Sequence, residues 1–298
     1  MPRTIAKKIR QDLYALLFLA PWLIGLLTIT VIPLASSLFL SFTSYDMFTQ
    51  PIWVGLQNYV RMFTSDSRYL NSLKITFIYV LLGVPLELMF ALFLAMILNK
   101  GIKGLSMYRA IYYIPSLFGG SVAIAILWRR IFGLEGFINK FLAVIGIQGI
   151  GWISTPSTAV YTLVLLRVWQ FGAPMIIFLA GLKQIPQELY EAAAIDGAGK
   201  RAQFLKITFP MLTPIVFFNM IMEMVNAFQA FTPAYIISDG TGKPLDSTLF
   251  YTLYLYQQGF SNFRMGYASA LAWFLLLIIA GFTTLSFLSS NKWVHYER

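Results

Sequence analysis

The sequence predicts an all-α membrane protein with six transmembrane helices, on three observations. Of its 298 residues, 58% are hydrophobic and only 11% are charged, and the mean hydropathy is +0.70. Soluble domains carry about a quarter charged residues, so this composition is typical of a chain solvated by lipid. The chain also contains six apolar runs, each long enough to cross a hydrocarbon core of about 30 Å.

The apolar runs follow one another with polar connections between them. The first run contains Pro21 and Pro33 and is longer than the apolar core of a signal peptide, so we expect it to be retained as a span. The six predicted spans cover residues 13–40, 73–98, 107–128, 158–182, 209–230 and 267–289. The sequence shows neither an internal repeat nor an inter-domain linker, so residues 1–298 are predicted to form one transmembrane domain.

The distribution of basic residues predicts the orientation of the spans. An even number of spans places both termini on one side of the membrane. The two terminal segments and the two connections on their side carry thirteen Lys and Arg residues, whereas the opposite three connections carry eight. Cytoplasmic loops are enriched in Lys and Arg, so both termini and the connection at residues 183–208 are predicted to be cytoplasmic.

The three opposite connections contain aromatic and apolar residues. Their sequences predict a short helix at the membrane interface in each connection, with aromatic side chains at the level of the headgroups. These helices are expected within residues 43–68, 134–145 and 247–260. We expect these helices to pack and anchor the chain; the alternative is a rim that receives a partner protein.

The sequence excludes several kinds of chemistry. The Gly-Lys pairs at Gly199 and Gly242 lack the upstream glycine and the following Ser or Thr of a phosphate-binding loop. His295 is the only histidine and there is no cysteine, so neither a catalytic residue nor a metal site is predicted. The net charge of +10 lies mainly in short loops beside apolar spans, and no basic–aromatic surface for nucleic acid is visible.

Residues 185–210 form a polar segment between spans four and five that predicts two short helices around a glycine hinge. Pro186 suits a first helical position, and Glu188 and Glu191 complement the positive end of a helix. Gly197 and Gly199 are expected to adopt positive φ and to end the first helix. Such an elbow suits binding by another protein; the alternative is an ordinary cytoplasmic loop.

This segment resembles the EAA loop of ABC importer permeases. Glu191-Ala192-Ala193, Asp196-Gly197-Ala198, Phe204, Ile207 and Pro210 follow the family spacing without a gap. From about Leu16 to the C-terminus, the chain resembles the carbohydrate branch of that family, the maltose- and oligosaccharide-type permeases. The resemblance implies the ABC type I importer fold, in which the elbow is a coupling helix, and a bacterial or archaeal cytoplasmic membrane.

The resemblance also implies partners. An extracytoplasmic solute-binding protein would deliver the sugar, and a second homologous permease, expected to be a different chain, would complete the pathway; a homodimer remains open. Two ABC ATPase subunits would bind ATP and Mg²⁺, so this chain is expected to hold no cofactor. The residues that would contact an ATPase are Glu188, Glu191, Ala192, Ala193, Asp196 and Gly197.

Three ionisable residues fall inside the predicted spans, where charge is costly and usually faces protein or water. Counted at 1.5 Å per residue, Arg167 and Glu223 lie at similar depth and are candidates for an ion pair, whereas Glu87 lies deeper, about 20 Å from the outer end of its span. The pair is either a structural lock between two helices or part of the polar wall of a translocation cavity.

Span five carries a polar stripe. Asn219, Glu223 and Asn226 share one helix face, and Gln229 continues it one turn later, with Phe228 and Phe231 beside it. Amides and carboxylates among aromatic rings suit sugar, although membrane helices also use such groups to bind one another. The predicted substrate-binding residues are Asn219, Glu223, Asn226, Phe228 and Gln229 in span five, with Trp169 and Gln170 in span four.

Two alternatives to a sugar importer stay open. Permeases for glycerol phosphate are close relatives of the family that the chain resembles, so that substrate or another polar solute is possible. An ion-coupled secondary carrier would use Glu87 or Glu223 to relay protons. Carriers of that kind usually contain internal repeats and discontinuous helices, which the sequence does not indicate.

Overall fold

The computed structural model describes Tyr14 and residues 16–101 and 104–295, and these residues form an almost entirely helical protein. Two compact units are present. The first unit contains the residues up to Thr64 together with Gln258–Phe274, and the second contains Ser65–Gln257 and the residues from Leu275 onward.

The first unit is built around the first span and a small hairpin. Its elements are helix α1, Leu16–Ser41, strands β1, Thr43–Ser44, and β2, Ile52–Trp53, and helix α2, Gln57–Thr64. The strands are antiparallel, and Thr43 lies opposite Trp53. Asn58 donates hydrogen bonds of 2.9 Å to the carbonyl oxygens of Ser41 and Thr43, which fixes α2 against the turn that follows α1.

The second unit holds most of the predicted spans. Its elements are α3, Ser67–Leu98; α4, Leu105–Phe118; α5, Val122–Ile131; α6, Phe137–Val144; α7, Pro156–Trp169; α8, Gly172–Leu182; α9, Gln187–Ile195; α10, Lys200–Gln203; α11, Phe209–Phe228; α12, Thr232–Ile237; and α13, Tyr251–Tyr256. Helix α14, Met265–Trp293, begins in the first unit and ends in the second. Helix α3 packs against α7, α8 and α11 and is the central helix of the second unit.

Two π-helical turns precede prolines. In α1 the turn Leu26–Val31 comes before Pro33, and between α10 and α11 the turn Phe204–Thr208 comes before Pro210. Proline lacks an N–H and its ring crowds the carbonyl of the preceding turn, so a wider turn lets the helix continue. As a result α10 and α11 form one helical rod, with Phe209 donating from its N–H to the carbonyl oxygen of Phe204.

The predicted spans correspond to six helical segments, of which two are bent. Four helices, Leu16–Ser41, Ser67–Leu98, Lys200–Ile237 and Met265–Trp293, are long and apolar enough to cross a membrane. Helices α4 and α5 meet at 97°, and α7 and α8 at 42°. The sequence shows no indication of discontinuous helices, so these two bends were not predicted. Residue 13, the predicted start of span one, lies outside the described residues.

Short helices are present in all three connections in which the sequence predicted them. Helices α2, α6 and α13 lie within residues 43–68, 134–145 and 247–260. In α6, the buried side chain of Asn139 donates to the carbonyl oxygens of Leu134 at 2.9 Å and Ile150 at 2.8 Å. The Trp152 indole donates to Oδ1 of Asn139 at 2.7 Å. This amide therefore fixes the chain before α6, at Leu134, and the chain after it, at Ile150 and Trp152, to the helix.

Replacing Asn139 with Ala is expected to lower the thermal stability of the protein. The change removes the hydrogen bonds to Leu134, Ile150 and Trp152 and leaves these partners unsatisfied, at a cost of about 1–3 kcal/mol. Thermal unfolding in detergent measures the effect. The exposed neighbour Lys140→Ala is the control; an equal melting temperature for both variants would contradict the assigned role of the amide.

Candidate functional site

An ion network joins three helices in the interior of the second unit. Nη2 of Arg167, on α7, donates to Oε2 of Glu223 at 2.7 Å and to the main-chain oxygen of the same residue, on α11, at 2.8 Å. Nε of Arg167 lies 2.8 Å from Oε2 of Glu87, on α3. The side chains of Arg167 and Glu87 are 7% and 3% exposed, whereas that of Glu223 is 18% exposed and faces a cavity.

The two contacts of Arg167 differ in kind. The contact with Glu223 consists of two hydrogen bonds, whereas the Nε–Glu87 contact is close but misaligned, and neither atom makes a hydrogen bond among the described residues. The ring of Tyr79 lies 5.8 Å from the guanidinium carbon. Close approach of α3 is possible because a Cβ atom on Gly83 would lie 2.8 Å from Cδ of Arg167.

The predicted pair between Arg167 and Glu223 is confirmed. The expectation that Glu87 lies apart from the pair, at greater depth, was wrong, since it contacts the same guanidinium. Depth counted along separate helices from their predicted ends ignores where each helix starts and how far a side chain reaches. Helix α3 begins at Ser67, six residues before the predicted span, and the long side chain of Arg167 bridges the remaining difference.

The ion network lines a cavity of about 470 Å³. The cavity lies at the two bends, between α4 and α5 and between α7 and α8, and at the short connection between α11 and α12. Each of these three places contributes a lining residue, respectively Gly120, Gln170 and Phe231. The hydroxyl of Ser116 donates to the carbonyl oxygen of Gln170 at 2.6 Å and accepts from the N–H of Ala173 at 2.8 Å. This hydroxyl satisfies main-chain groups that the break in the fourth span sets free.

Three of the predicted substrate-binding residues line the cavity: Gln170, Glu223 and Asn226. They present an amide just after the end of α7, a carboxylate from α11 and an exposed amide near the end of α11. Ser116 and Thr232 add hydroxyls, which sequence reasoning did not select. Glycines 119 and 120, followed by Ser121 in an apolar run, are the signal that would have indicated a helix break there.

The other four predicted residues do not line this cavity. Phe228 is buried against Phe77 and Phe282, because two residues beyond Asn226 is about 200° further around a helix. The ring of Trp169 packs near that of Trp128. Asn219 is buried two turns away from Asn226. Gln229 caps the end of α11 and is exposed.

The elbow consists of α9 and the rod formed by α10 and α11. Helix α9 ends in a Schellman motif, in which the N–H of Ala198 donates to the oxygen of Ala193 at 2.8 Å and that of Gly197 to Ala194 at 3.1 Å. Gly197 has φ of 80°, as predicted. Gly199 does not have positive φ; it is extended, with φ −69° and ψ 166°, and precedes the first residue of α10. Pro186 likewise precedes α9 rather than occupying its first turn.

The elbow is exposed. Along α9 every side chain is exposed or partly exposed, including Glu188, Glu191 and Ala192, while Ala193 is partly exposed. Asp196 and Gly197 follow on the exposed turn. The side chain of Ile195, an apolar residue that sequence reasoning did not select, is 87% exposed. Glu191 accepts a hydrogen bond of 2.9 Å from Gln187 one turn earlier.

At the end of the molecule beyond α5 and α12, a surface ion cluster ties these two helices together. Asp239, after α12, pairs with Arg129, on α5, and with Nζ of Lys243 at 2.7 Å. The hydrogen bond from Lys243 and then that from Arg129 lower the pKa of the Asp239 carboxyl from its usual value. In the part of the chain that the structure describes, no three His, Asp or Glu side chains form a group able to hold a metal ion.

A multi-pass membrane permease is the class of protein that this arrangement defines, with interrupted apolar helices around a polar cavity and an exposed elbow joined to it by a helical rod. The chain belongs to the family of binding-protein-dependent transport system inner membrane components, whose sequence profile matches residues 62–292. Members of this family are permease components of transporters and not enzymes.

Individual relatives cover nearly the whole chain. It is 56% identical over 294 residues to the probable ABC transporter permease protein YesP of Bacillus subtilis (strain 168). This match covers 98% of this chain and 95% of YesP. It is 31% identical to the probable starch degradation products transport system permease protein AmyD of Thermoanaerobacterium thermosulfurigenes, over 92% of this chain and 93% of AmyD. The resemblance to carbohydrate ABC importer permeases is thereby confirmed.

A solved structure supports the fold. A chain of a bacterial alginate ABC transporter, in complex with an alginate pentasaccharide-bound periplasmic protein, matches with a TM-score of 0.81 over 96% of both chains. The sequences are 20% identical, so this likeness concerns the fold alone. The predicted type I importer permease fold is confirmed.

Replacing Arg167 with Leu is expected to destabilise the protein strongly. Removing one member of a buried ion network leaves the other charges without compensation, at a cost of about 3–5 kcal/mol. The yield of monodisperse protein and its melting temperature in detergent measure the loss. Arg130→Leu, at an exposed position on α5, is the matched control, and equal behaviour of the two variants would show that the network contributes little to stability.

Proposed function

We propose that this chain forms half of the translocation pathway of an ATP-driven importer for sugars, and specifically for oligosaccharides. The observation that carries the proposal is the helical rod from Lys200 to Phe228, because its start belongs to the exposed elbow and its end lines the polar cavity. One continuous element therefore links a surface suited to a partner with a site suited to a solute.

The cavity has the chemistry that a sugar requires. The amides of Gln170 and Asn226 offer both donors and acceptors to hydroxyl groups, and Ser116 and Thr232 add hydroxyls. Phe231 supplies an apolar face for the C–H side of a pyranose ring. The name of the relative AmyD, a permease for starch degradation products, supports the oligosaccharide class. Glycerol phosphate remains the alternative substrate.

We assign the elbow to an ATPase partner. Glu188, Glu191 and Asp196 give α9 an acidic exposed surface, and Ala192 and Ala193 are small enough to permit close approach of another protein. Ile195 would add an apolar contact at the tip. Two ATPase subunits, which bind ATP and Mg²⁺, would each hold one elbow, the second belonging to a homologous permease that we expect to be a different chain.

The proposed transport cycle is alternating access. A solute-binding protein outside the cell presents the sugar, in keeping with the family to which the chain belongs. ATP-driven closure of the ATPase pair moves the elbows, and the rods transmit that movement to the cavity, which opens outward; hydrolysis returns it inward. This direction requires both termini and the elbow to lie in the cytoplasm of a bacterial or archaeal cell.

The interrupted helices favour one alternative, an ion-coupled carrier. Carriers commonly bind substrate at broken helices, and Glu87 and Glu223 would then relay protons. Uptake into vesicles that depends on a proton gradient and persists without an ATPase subunit would establish the carrier and overturn the importer.

Replacing Asn226 with Ala is expected to weaken saccharide transport. Loss of one amide that bonds a hydroxyl raises the substrate concentration at half-maximal uptake by about tenfold, equivalent to about 1.4 kcal/mol. Uptake by the complete transporter in proteoliposomes measures this change. Gln229→Ala, at the exposed cap of α11 outside the cavity, is the control, and an equal effect of both changes would argue against substrate contact by Asn226.

Replacing Gly197 with Asp is expected to uncouple ATP hydrolysis from transport while the chain still inserts into the membrane. A side chain at φ of 80° strains the hinge by about 1–2 kcal/mol and alters the angle of α9. Gly199→Asp adds the same charge two residues away at an extended φ, where a side chain meets no neighbour within 4 Å. Transport and ATP hydrolysis are measured on the same proteoliposomes.

The comparison of the two aspartate variants separates strain from charge. Normal uptake by the Gly197→Asp variant would contradict the role of the hinge. Equal losses in both variants would assign the effect to the added charge. Crosslinks from residues 188–200 to an ATPase subunit test the docking itself.

A further inference from the structure

The ion network gives the cavity a charge that bears on its substrate. Among the described residues that line the cavity, Arg167 supplies the positive charge and Glu87 and Glu223 supply the negative charges. With both carboxyls ionised, the three groups sum to one surplus negative charge. No positive charge is then left for a ligand.

The carboxylates also occupy much of the guanidinium. Its Nη2 atom is engaged by both the carboxylate and the main-chain oxygen of Glu223, and its Nε atom faces the carboxylate of Glu87. The Arg167 side chain is 7% exposed, so an anionic ligand that approached it would meet the more exposed carboxylate of Glu223 beside it. A hydroxyl group, in contrast, can donate to Glu223 without displacing it.

The surface that a solute meets is the carboxylate side of the network. Glu223 is the more exposed member, with 18% of its side chain accessible. Glu87 also lines the cavity, but its side chain is 3% exposed and its Oε2 atom is buried, so Glu87 acts on a solute through its charge. Both groups are acceptors when ionised, and a carboxylate or phosphate on the ligand would be repelled by them.

We propose that Glu87, Arg167 and Glu223 form a charge filter, which makes the sugar unit in the cavity an uncharged one and excludes uronate and phosphate groups from it. The proposal rests on the proposed function and narrows its substrate class. It makes glycerol phosphate the disfavoured alternative, and it places any acidic unit of an oligosaccharide outside the contact with the network.

The absence of cysteine from the sequence allows a direct test. Ala230 lines the cavity, so Ala230→Cys introduces a single thiol there. In the purified transporter complex, the rates of labelling of this chain by a cationic and an anionic methanethiosulfonate of similar size report the local charge without any sugar. Each rate is divided by the rate of the same reagent with a free thiol in solution. After this correction, we expect the cationic reagent to react about tenfold faster than the anionic one.

Two carboxamide variants and one control identify the source of the charge. Glu87→Gln and Glu223→Gln, each in the Ala230→Cys background, are expected to lower the ratio of the two rates severalfold. Glu135→Gln removes the same charge from an exposed position between α5 and α6 and is expected to leave the ratio unchanged. A ratio near one, or a ratio that neither carboxamide variant changes, would overturn the filter.

Protection of the same thiol by saccharides tests the substrate class. A neutral disaccharide is expected to slow labelling at a concentration about tenfold lower than its uronate counterpart of the same size, and the carboxamide variants are expected to narrow that difference. Equal protection by both sugars would overturn the filter. Protection by neither, with the charge ratio still present, would instead overturn the saccharide function while leaving the electrostatic assignment in place.

Discussion

The requirement to neutralise a guanidinium at membrane depth constrains the rest of the second unit. A charge in an apolar interior is tolerated only with close partners, and Arg167 finds one on each of two neighbouring helices. Helices α3, α7 and α11 must therefore meet at one level, and Gly83 leaves room for the Arg167 side chain between them. The packing of these helices and the polar wall of the cavity follow from the same three side chains.

The helix breaks follow a second constraint, since a main-chain group in an apolar environment must be hydrogen-bonded. Where α7 ends at Trp169 and α8 begins at Gly172, the freed carbonyl oxygen and N–H groups meet the hydroxyl of Ser116, which acts as acceptor and donor at once. Irregular backbone is stable there because it faces a polar cavity and a hydroxyl rather than lipid. The breaks and the cavity consequently require one another.

The sequence predicted the features that depend on local pattern. Apolar length located the four helices that are long enough to cross a membrane and the two bent helix pairs, and the positive φ at Gly197 followed from helix-terminating chemistry. Features that depend on the rotation and bending of helices were missed: Phe228 lies on the opposite face from Asn226, and the third span bends by 97° after Phe118. The position of Phe228 does follow from residue spacing, since two residues turn a helix by about 200°. A bend angle does not, because it is decided by the neighbours that the helix packs against.

The rod formed by α10 and α11 joins the two parts of the molecule whose cooperation transport requires. It carries Lys200 and Arg201 at the elbow and Glu223 and Asn226 at the cavity, and the π turn before Pro210 keeps it continuous where proline would otherwise break it. In the proposed cycle, a displacement of the elbow would move Glu223. Because Arg167 also contacts Glu87 on α3, the guanidinium would keep a carboxylate beside it during that movement. The second carboxylate would thereby lower the electrostatic cost of moving α11 in that cycle.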